Sequence, residues 1–268
     1  MKNLFWLLLL SSQLTLAQRY KPQPITALLG AFDEEVKLVQ QSLKNPKTDT
    51  LNGIAFTTGS IGNRQVVVAE TGIGKTNAAM TTAFVLAYFR PERIIFTGIA
   101  GGVSPDLQPG DIVIARLTGY HDYHSVTFEQ KPTNQTRDAI SKRMNPAYFP
   151  ADSLLLIKAV ATAQKTTFEQ IPFTSRPPSV VTGTVVTGDE FVNSEARVNQ
   201  LRTDYKADAT EMEGAAVAQV CYQQGTPCLV IRSLSDKANS NARQDMLTFY
   251  KTAARNSAKL VLAIVQAL

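Results

Sequence analysis

Along the chain, short apolar runs alternate with stretches in which apolar and small residues recur at helical spacing. Ile25–Leu29 reads as a strand, followed by a helix at Glu34–Leu43; Gln65–Ala69 reads as a strand, followed by a helix at Thr76–Phe89. Further strands are predicted at Arg93–Phe96, Asp111–Ala115 and Ser179–Val186, with a helix over Ser153–Gln164 ahead of the last. The C-terminal part runs helix, strand, helix: Ala215–Gln223, Cys228–Arg232 and Ala242–Gln266. This alternation predicts an α/β fold, a sheet with helices on both faces. Glu129–Pro150 is polar and contains prolines, so it reads as a long loop of the kind that often serves as a lid or a partner contact. No repeat, low-complexity segment or interdomain linker interrupts the pattern.

The N-terminus departs from it. Residues 1–17 read MKNLFWLLLLSSQLTLA, with Lys2 ahead of an apolar run from Leu4 to Leu10 and a small-residue signal at Thr15-Leu16-Ala17. A bilayer span needs roughly 20 apolar residues, which this run does not reach. Residues 1–17 are expected to be a signal peptide cleaved near Ala17; a buried first strand or a permanent anchor is the alternative. Residues 18–268 are then an exported chain, periplasmic or secreted, forming one domain. About 250 residues suffice for a substantial core.

Composition narrows the partners. The formal charge of +5 is spread along the chain without basic runs or interleaved aromatics, so nucleic acid is not expected as a partner. No later segment reads as membrane-spanning. Cys221 and Cys228 fall on a helix and the following strand, a spacing that need not meet disulfide geometry, and two buried thiols are expected. His121 and His124 form an H-x-x-H pair with no accompanying ligand-rich motif, so they read as loop histidines rather than metal ligands. Ala69–Thr76, AETGIGKT, satisfies a loose phosphate-binding loop pattern between a strand and a helix. Ala69 replaces the usual first glycine, and the next strand offers no carboxylate for Mg²⁺, so Gly72 and Gly74 read instead as a tight turn into the helix.

The chemistry concentrates in acidic residues at changes of secondary structure. Glu211-Met212-Glu213 precedes a helix, and Ser235-Asp236 follows a buried strand, the carboxyl edge at which open α/β folds bind ligands. TEMEGAAVAQVC and LVIRSLSD resemble the C-terminal half of the methylthioadenosine/S-adenosylhomocysteine nucleosidases, members of the purine nucleoside phosphorylase superfamily. Ile25–Val36, Glu70–Lys75, Thr97–Asp111 and Thr187–Val192 are similar to that family in the same order. The resemblance spans nearly everything from Ile25 to Leu268. It implies a three-layer α/β/α sandwich around a mixed, mostly parallel sheet, a small-molecule nucleoside substrate, a homodimer, and no cofactor or metal.

It also implies roles. Asp236 matches the acid that protonates purine N7; read alone, it is better explained as a helix N-cap. Glu35 matches the residue that positions and deprotonates the attacking water, whereas Asp33 and Glu34 read as carboxylates at a helix N-terminus. Arg232 matches a buried arginine near the water, with Glu35 as its expected partner. Glu213 matches the acceptor of both ribose hydroxyls, Met212 packs beneath the sugar, Phe191 stacks on the purine and the Val192 backbone reads its edge. Glu211 reads as structural.

Departures from the family qualify this reading. Asp33, Glu34 and Glu35 stand where phosphorylases place a phosphate-binding arginine, and Ile99 replaces a common Ser or Thr in Thr97–Gly102. Both disfavour phosphate and favour hydrolysis. Ile99 also removes a hydroxyl that could help to hold the water. The segment from Ser125 to Pro150 is longer than its bacterial counterparts, so preference for the 5′-substituent does not carry over. The alternatives are a phosphate-dependent purine nucleoside phosphorylase and a catalytically weak nucleoside-binding or storage protein.

Overall fold

The computed structural model describes residues 24–124 and 134–268. The expected signal peptide lies outside the described residues, as does 125–133 of the long loop. In chain order the elements are β1 (Ile25–Gly30), α1 (Asp33–Gln41), β2 (Lys44–Leu51), β3 (Ile54–Ile61), β4 (Arg64–Glu70) and α2 (Lys75–Phe89). There follow β5 (Arg93–Gly102), β6 (Ile112–Tyr120), β7 (Phe149–Pro150), α3 (Ser153–Ala163) and β8 (Val180–Thr187). The chain ends with α4 (Glu195–Tyr205), β9 (Ala209–Glu211), α5 (Gly214–Gln223), β10 (Cys228–Asp236) and α6 (Ala242–Ala267).

All strands join one mixed sheet. β1 lies between β4 and β5 and is parallel to both, and β10 runs parallel to β5 on its other side. β6 is antiparallel to β10 and parallel to β8, while β9 is parallel to β8 and closes antiparallel onto β5. The β2–β3–β4 meander forms the far edge. Because successive side chains point to opposite faces, the buried strands are apolar on both. Ala27 and Leu29 of β1 join the layer covered by α2 and α5, and Leu28 joins the layer covered by α1, α3 and α6. The result has helices on both faces of the sheet, as the alternation predicted, in the three-layer α/β/α sandwich that the resemblance implied.

Cys221 and Cys228 are buried free thiols, as expected. Among the described residues, no helix is long and apolar enough to cross a membrane. Three predicted strands prove much longer: β5 continues from Phe96 to Gly102, β6 from Ala115 to Tyr120, and β10 from Arg232 to Asp236. Asp236 is therefore the last residue of a strand rather than a residue beyond it. The described part of the expected loop contains β7 and a bridge between Arg137 and Met144.

Candidate active site

The carboxyl ends of β1, β5, β8, β9 and β10 surround a cavity of about 350 Å³. Glu35, Ile99, Phe191, Val192, Met212, Glu213 and Asp236 all line it. Seven of the eight predicted site residues thus meet in one place, the exception being Arg232.

Glu35 sits in the first turn of α1, behind a chain bend that turns its side chain inward. It is 2% exposed; its Oε1 accepts the Ile99 N–H at 2.8 Å and its Oε2 accepts the Ala31 N–H at 2.5 Å. Burial pushes its pKa up to about 7, against the opposing charge of Arg232 and these backbone donors. Asp33 and Glu34 stay at the helix N-terminus within 4 Å of Lys37, as the helix-dipole reading expected. Ile99 thus contributes through its backbone N–H as well as its apolar side chain.

Arg232 corrects the expected pairing. It is buried beneath the cavity rather than lining it, and its partner is Glu211, not Glu35. Nη2 and Nε donate to Glu211 Oε2 at 2.5 and 3.2 Å, and the guanidinium lies over the Phe96 ring at 4.2 Å. The physical reason is that Glu211 ends β9 directly above the N-terminus of α5. There its carboxylate also accepts the N–H groups of Glu213 and Gly214 and the Thr187 hydroxyl. The pair offsets the cost of burying two charges through these bonds, with Arg232 Nη1 also donating to the Ile231 carbonyl at 3.3 Å. The structural reading of Glu211 thus gains a concrete form.

Glu213 faces the cavity from the N-terminus of α5. Its Oε1 accepts the Gly74 N–H at 2.8 Å, and its Oε2 lies 3.9 Å from Arg232 Nη2. Burial and the neighbouring Glu211 charge raise its pKa, which Arg232 opposes. The donor at Gly74 disposes of the phosphate-loop pattern. Gly72 and Gly74 adopt positive φ, and the turn's backbone donors are taken by carboxylates, Glu213 at Gly74 and Asp189 at Lys75.

Asp236 is 3% exposed, and a register shift between β10 and β5 sets it opposite Gly101. Its Oδ2 accepts the Ser235 hydroxyl and its Oδ1 the Ala238 N–H, each at 2.7 Å. Burial outweighs both donors and raises its pKa to about 6. Asp236 is not a helix cap, because the cap of α6 is Asn241. Phe191, which alone would suggest a core aromatic, is 47% exposed at the cavity, whereas Val192 is buried.

The sequence reading missed Phe32, Ile73, Met246, Leu247 and Tyr250, which complete an apolar wall. The available signal was the spacing of Met246, Leu247 and Tyr250 along one side of the start of α6. His121 also differs from expectation. It follows β6 in a bend but is 1% exposed, and its Nδ1 lies 2.9 Å from Arg197 Nη2. Among the described residues there is no cluster of potential metal ligands.

A family model described as the phosphorylase superfamily matches residues 25–266. The 5′-methylthioadenosine/S-adenosylhomocysteine nucleosidase of Marinomonas sp. (strain MWYL1) is 37% identical over 242 residues, 88% of this chain and 96% of that protein. The crystal structure of the Neisseria meningitidis 5′-methylthioadenosine/S-adenosylhomocysteine nucleosidase, in complex with methylthio-immucillin-A, is similar at TM-score 0.81 and 35% identity. It covers 91% of this chain and 99% of that one. Futalosine hydrolase of Helicobacter pylori strain 26695 reaches TM-score 0.81 at 28% identity, covering 91% of this chain and 98% of that one. Matched from β1 to the last turn of α6, the chain belongs to the methylthioadenosine/S-adenosylhomocysteine nucleosidase family, N-ribosyl hydrolases of the phosphorylase superfamily.

Proposed function

We propose that the protein hydrolyses the N-ribosidic bond of 5′-thio-substituted adenine nucleosides, methylthioadenosine and S-adenosylhomocysteine. The observation that carries this is the convergence of Glu35, Glu213 and Asp236, all nearly buried, on one cavity with an apolar wall. Asp236 gives its proton to N7 as the C1′–N9 electron pair leaves with the purine. Glu35 orients a water and takes its proton as oxygen bonds to C1′, and solvent restores both carboxyl groups. Between these steps the sugar carries oxocarbenium character. Glu213 accepts hydrogen bonds from the two ribose hydroxyls. Phe191 stacks on the purine, the Val192 backbone meets its edge, and Met212 packs under the sugar. Arg232 acts from below by pairing with Glu211, which partly offsets the repulsion that Glu211 exerts on Glu213.

Phosphorolysis is disfavoured on the same geometry. Arg232 is committed to Glu211, and a phosphate in place of the water would face Glu35. The apolar wall of Phe32, Met246, Leu247 and Tyr250 suits a thioalkyl group better than a 5′-hydroxyl. The check is kcat/KM for methylthioadenosine, S-adenosylhomocysteine, adenosine and futalosine. Burial of a methylthio group is worth about 1–2 kcal/mol, so methylthioadenosine should exceed adenosine by about tenfold. Preference for adenosine would overturn the assignment of the wall, and preference for futalosine would move the assignment to that substrate.

The proton transfers set the pH dependence through Asp236 and Glu35; Glu213, raised to about 8 and passing no proton in the reaction, hydrogen-bonds the ribose in either protonation state. The competent form has Asp236 protonated and Glu35 ionised, the minor of the two singly protonated forms, because Glu35 at about 7 holds its proton more tightly than Asp236 at about 6. Below about 6 both are protonated and Glu35 cannot accept; above about 7 both are ionised and Asp236 cannot donate. The profile of kcat/KM should be a bell with its maximum between about 6 and 7, its limbs belonging to the pair. A plateau extending to high pH would remove Asp236 as the acid.

We also propose that the chain is exported after cleavage near Ala17 and works as a homodimer. The leader pattern of residues 1–17 supports the first, and Edman sequencing of secreted material should begin at Gln18. For the second, Met80 and Tyr88 are exposed on α2, with Phe84 between them stacked on Tyr88 at 5.8 Å. This stripe leads to exposed Ile73 at the cavity mouth. A second copy seated there would cover an apolar surface; sedimentation at the monomer mass would exclude it.

A further inference from the structure

Two motifs that the proposed chemistry does not use, the Gly74-Lys75 turn and the His121-Asp122 pair, meet beside the cavity. Asp122 Oδ2 accepts Lys75 Nζ at 2.5 Å and the Asp189 N–H at 2.8 Å. Asp189 Oδ1 in turn accepts the Lys75 N–H at 2.8 Å, closing a ring of three bonds. Each member of the ring leads to a different part of the site. Lys75 follows Gly74, whose N–H holds Glu213 Oε1. Asp189 opens the segment that carries Phe191 and Val192 into the cavity.

The neighbouring residues tighten this arrangement. The His121 N–H donates to the Thr187 carbonyl, and its buried ring packs so close to Gly188 that no side chain fits there. At Gly74, where φ is +94°, a Cβ would lie 3.1 Å from Asp189 Oδ1. The end of β6 thus grips the purine-side segment at Thr187, Gly188 and Asp189, and reaches the ribose-side turn through Lys75. The ring also binds the Lys75 side chain that gives the turn its phosphate-loop appearance. Burial would raise the Asp122 pKa, but the Lys75 ammonium and the Asp189 N–H hold it below its ordinary value, so it remains ionised in this ring.

We propose that Asp122 is a positioning residue for both halves of the nucleoside, fixing the turn that orients Glu213 relative to the segment that carries Phe191 and Val192. The inference rests on the ribose and purine roles assigned above. Asp122 touches no reacting atom, so its effect is on registry. Displacement of either side by a fraction of an ångström weakens both contacts.

The test compares wild type, Asp122→Ala and Asp122→Asn. Three quantities are measured: adenine affinity, kcat/KM for methylthioadenosine, and kcat/KM for its 2′-deoxy analogue. Wild-type adenine binding and riboside preference establish the underlying roles separately; their absence would overturn those roles before the brace is tested. In Asp122→Ala, adenine affinity and the riboside-to-deoxyriboside ratio should each fall about tenfold, although Glu213, Phe191 and Val192 are intact. In Asp122→Asn an amide oxygen can still accept from both donors, so most of each loss should be recovered. Lys75→Met, which removes one bond of the ring, should show the same paired loss more weakly and serves if Asp122→Ala does not fold. Wild-type ratios in Asp122→Ala, or in Lys75→Met where that variant stands in, would overturn the proposal. So would an Asp122→Asn variant as impaired as a folded Asp122→Ala.

Discussion

Asp236→Asn is expected to lower kcat for adenine release by about 10²–10⁴-fold while leaving adenine binding measurable, the usual range for loss of a general acid. Adenine leaves poorly as an anion, and proton donation at N7 removes that obstacle in the same step that breaks C1′–N9. Asparagine matches aspartate in shape, can still accept the Ser235 hydroxyl or the Ala238 N–H, and can hydrogen-bond a purine. It cannot transfer a proton. The variant separates binding from chemistry, because the purine platform of Phe191 and Val192 is untouched. Single-turnover adenine release, with adenine affinity measured in parallel, is the check; unchanged turnover would assign the proton to another group.

Glu35→Gln should be comparably severe, with kcat again reduced by about 10²–10⁴-fold, because water is a weak nucleophile without a base to take its proton. The substitution also has a structural cost that can be stated in advance. Both oxygens of Glu35 accept backbone N–H groups, from Ile99 and from Ala31. A glutamine has one acceptor and one donor, so one buried N–H loses its partner, at about 1–3 kcal/mol. A lower Tm with nearly abolished turnover but retained binding of adenine is the expected combination. Full activity in Glu35→Gln would mean that the water is activated elsewhere. Together these variants divide the bell-shaped pH dependence between the groups that create it.

Much of this site was legible because the motifs around Glu35, Phe191, Glu213 and Asp236 resemble those of a known family in order; the pattern of elements alone pointed only to the carboxylates Glu211, Glu213 and Asp236 at changes of secondary structure. What could not be read was which of them pair. Arg232 finds Glu211 rather than Glu35 because β8 and β9 bring Thr187 and Glu211 together at the cavity wall, a contact set by strand order. The predicted strand stopped at Phe96, yet the glycine-rich stretch after it completes β5. A Cβ at Gly98 would lie 2.5 Å from Glu35 Oε1 and 2.7 Å from Arg232 Nη1, and one at Gly101 would lie 3.0 Å from Asp236 Oδ1. These glycines leave room for the charged side chains against the strand.

The missed elements have equally local causes. β2 reads KNPKTDTL, exposed almost throughout, so it offers no apolar alternation; it is held by its ladder to β3. Its signal was the Asn52-Gly53 pair, both at positive φ, a two-residue hairpin turn between Leu51 and Ile54. α4 is polar and buries only Leu201, but Ser194 caps it by accepting the Arg197 N–H, a start signal readable from residue type. The gripping role of His121 and Asp122 had no local signal, since it depends on β6 and β8 lying side by side.

Water, activated at Glu35, is the group to which the sugar is transferred in this reading of the site. Its direct test is the reaction of the purified protein with methylthioadenosine, in the absence of phosphate and then at saturating phosphate, with the sugar product identified by mass. Adenine and free methylthioribose should form at the same rate in both. A sugar 1-phosphate formed only when phosphate is present would contradict it.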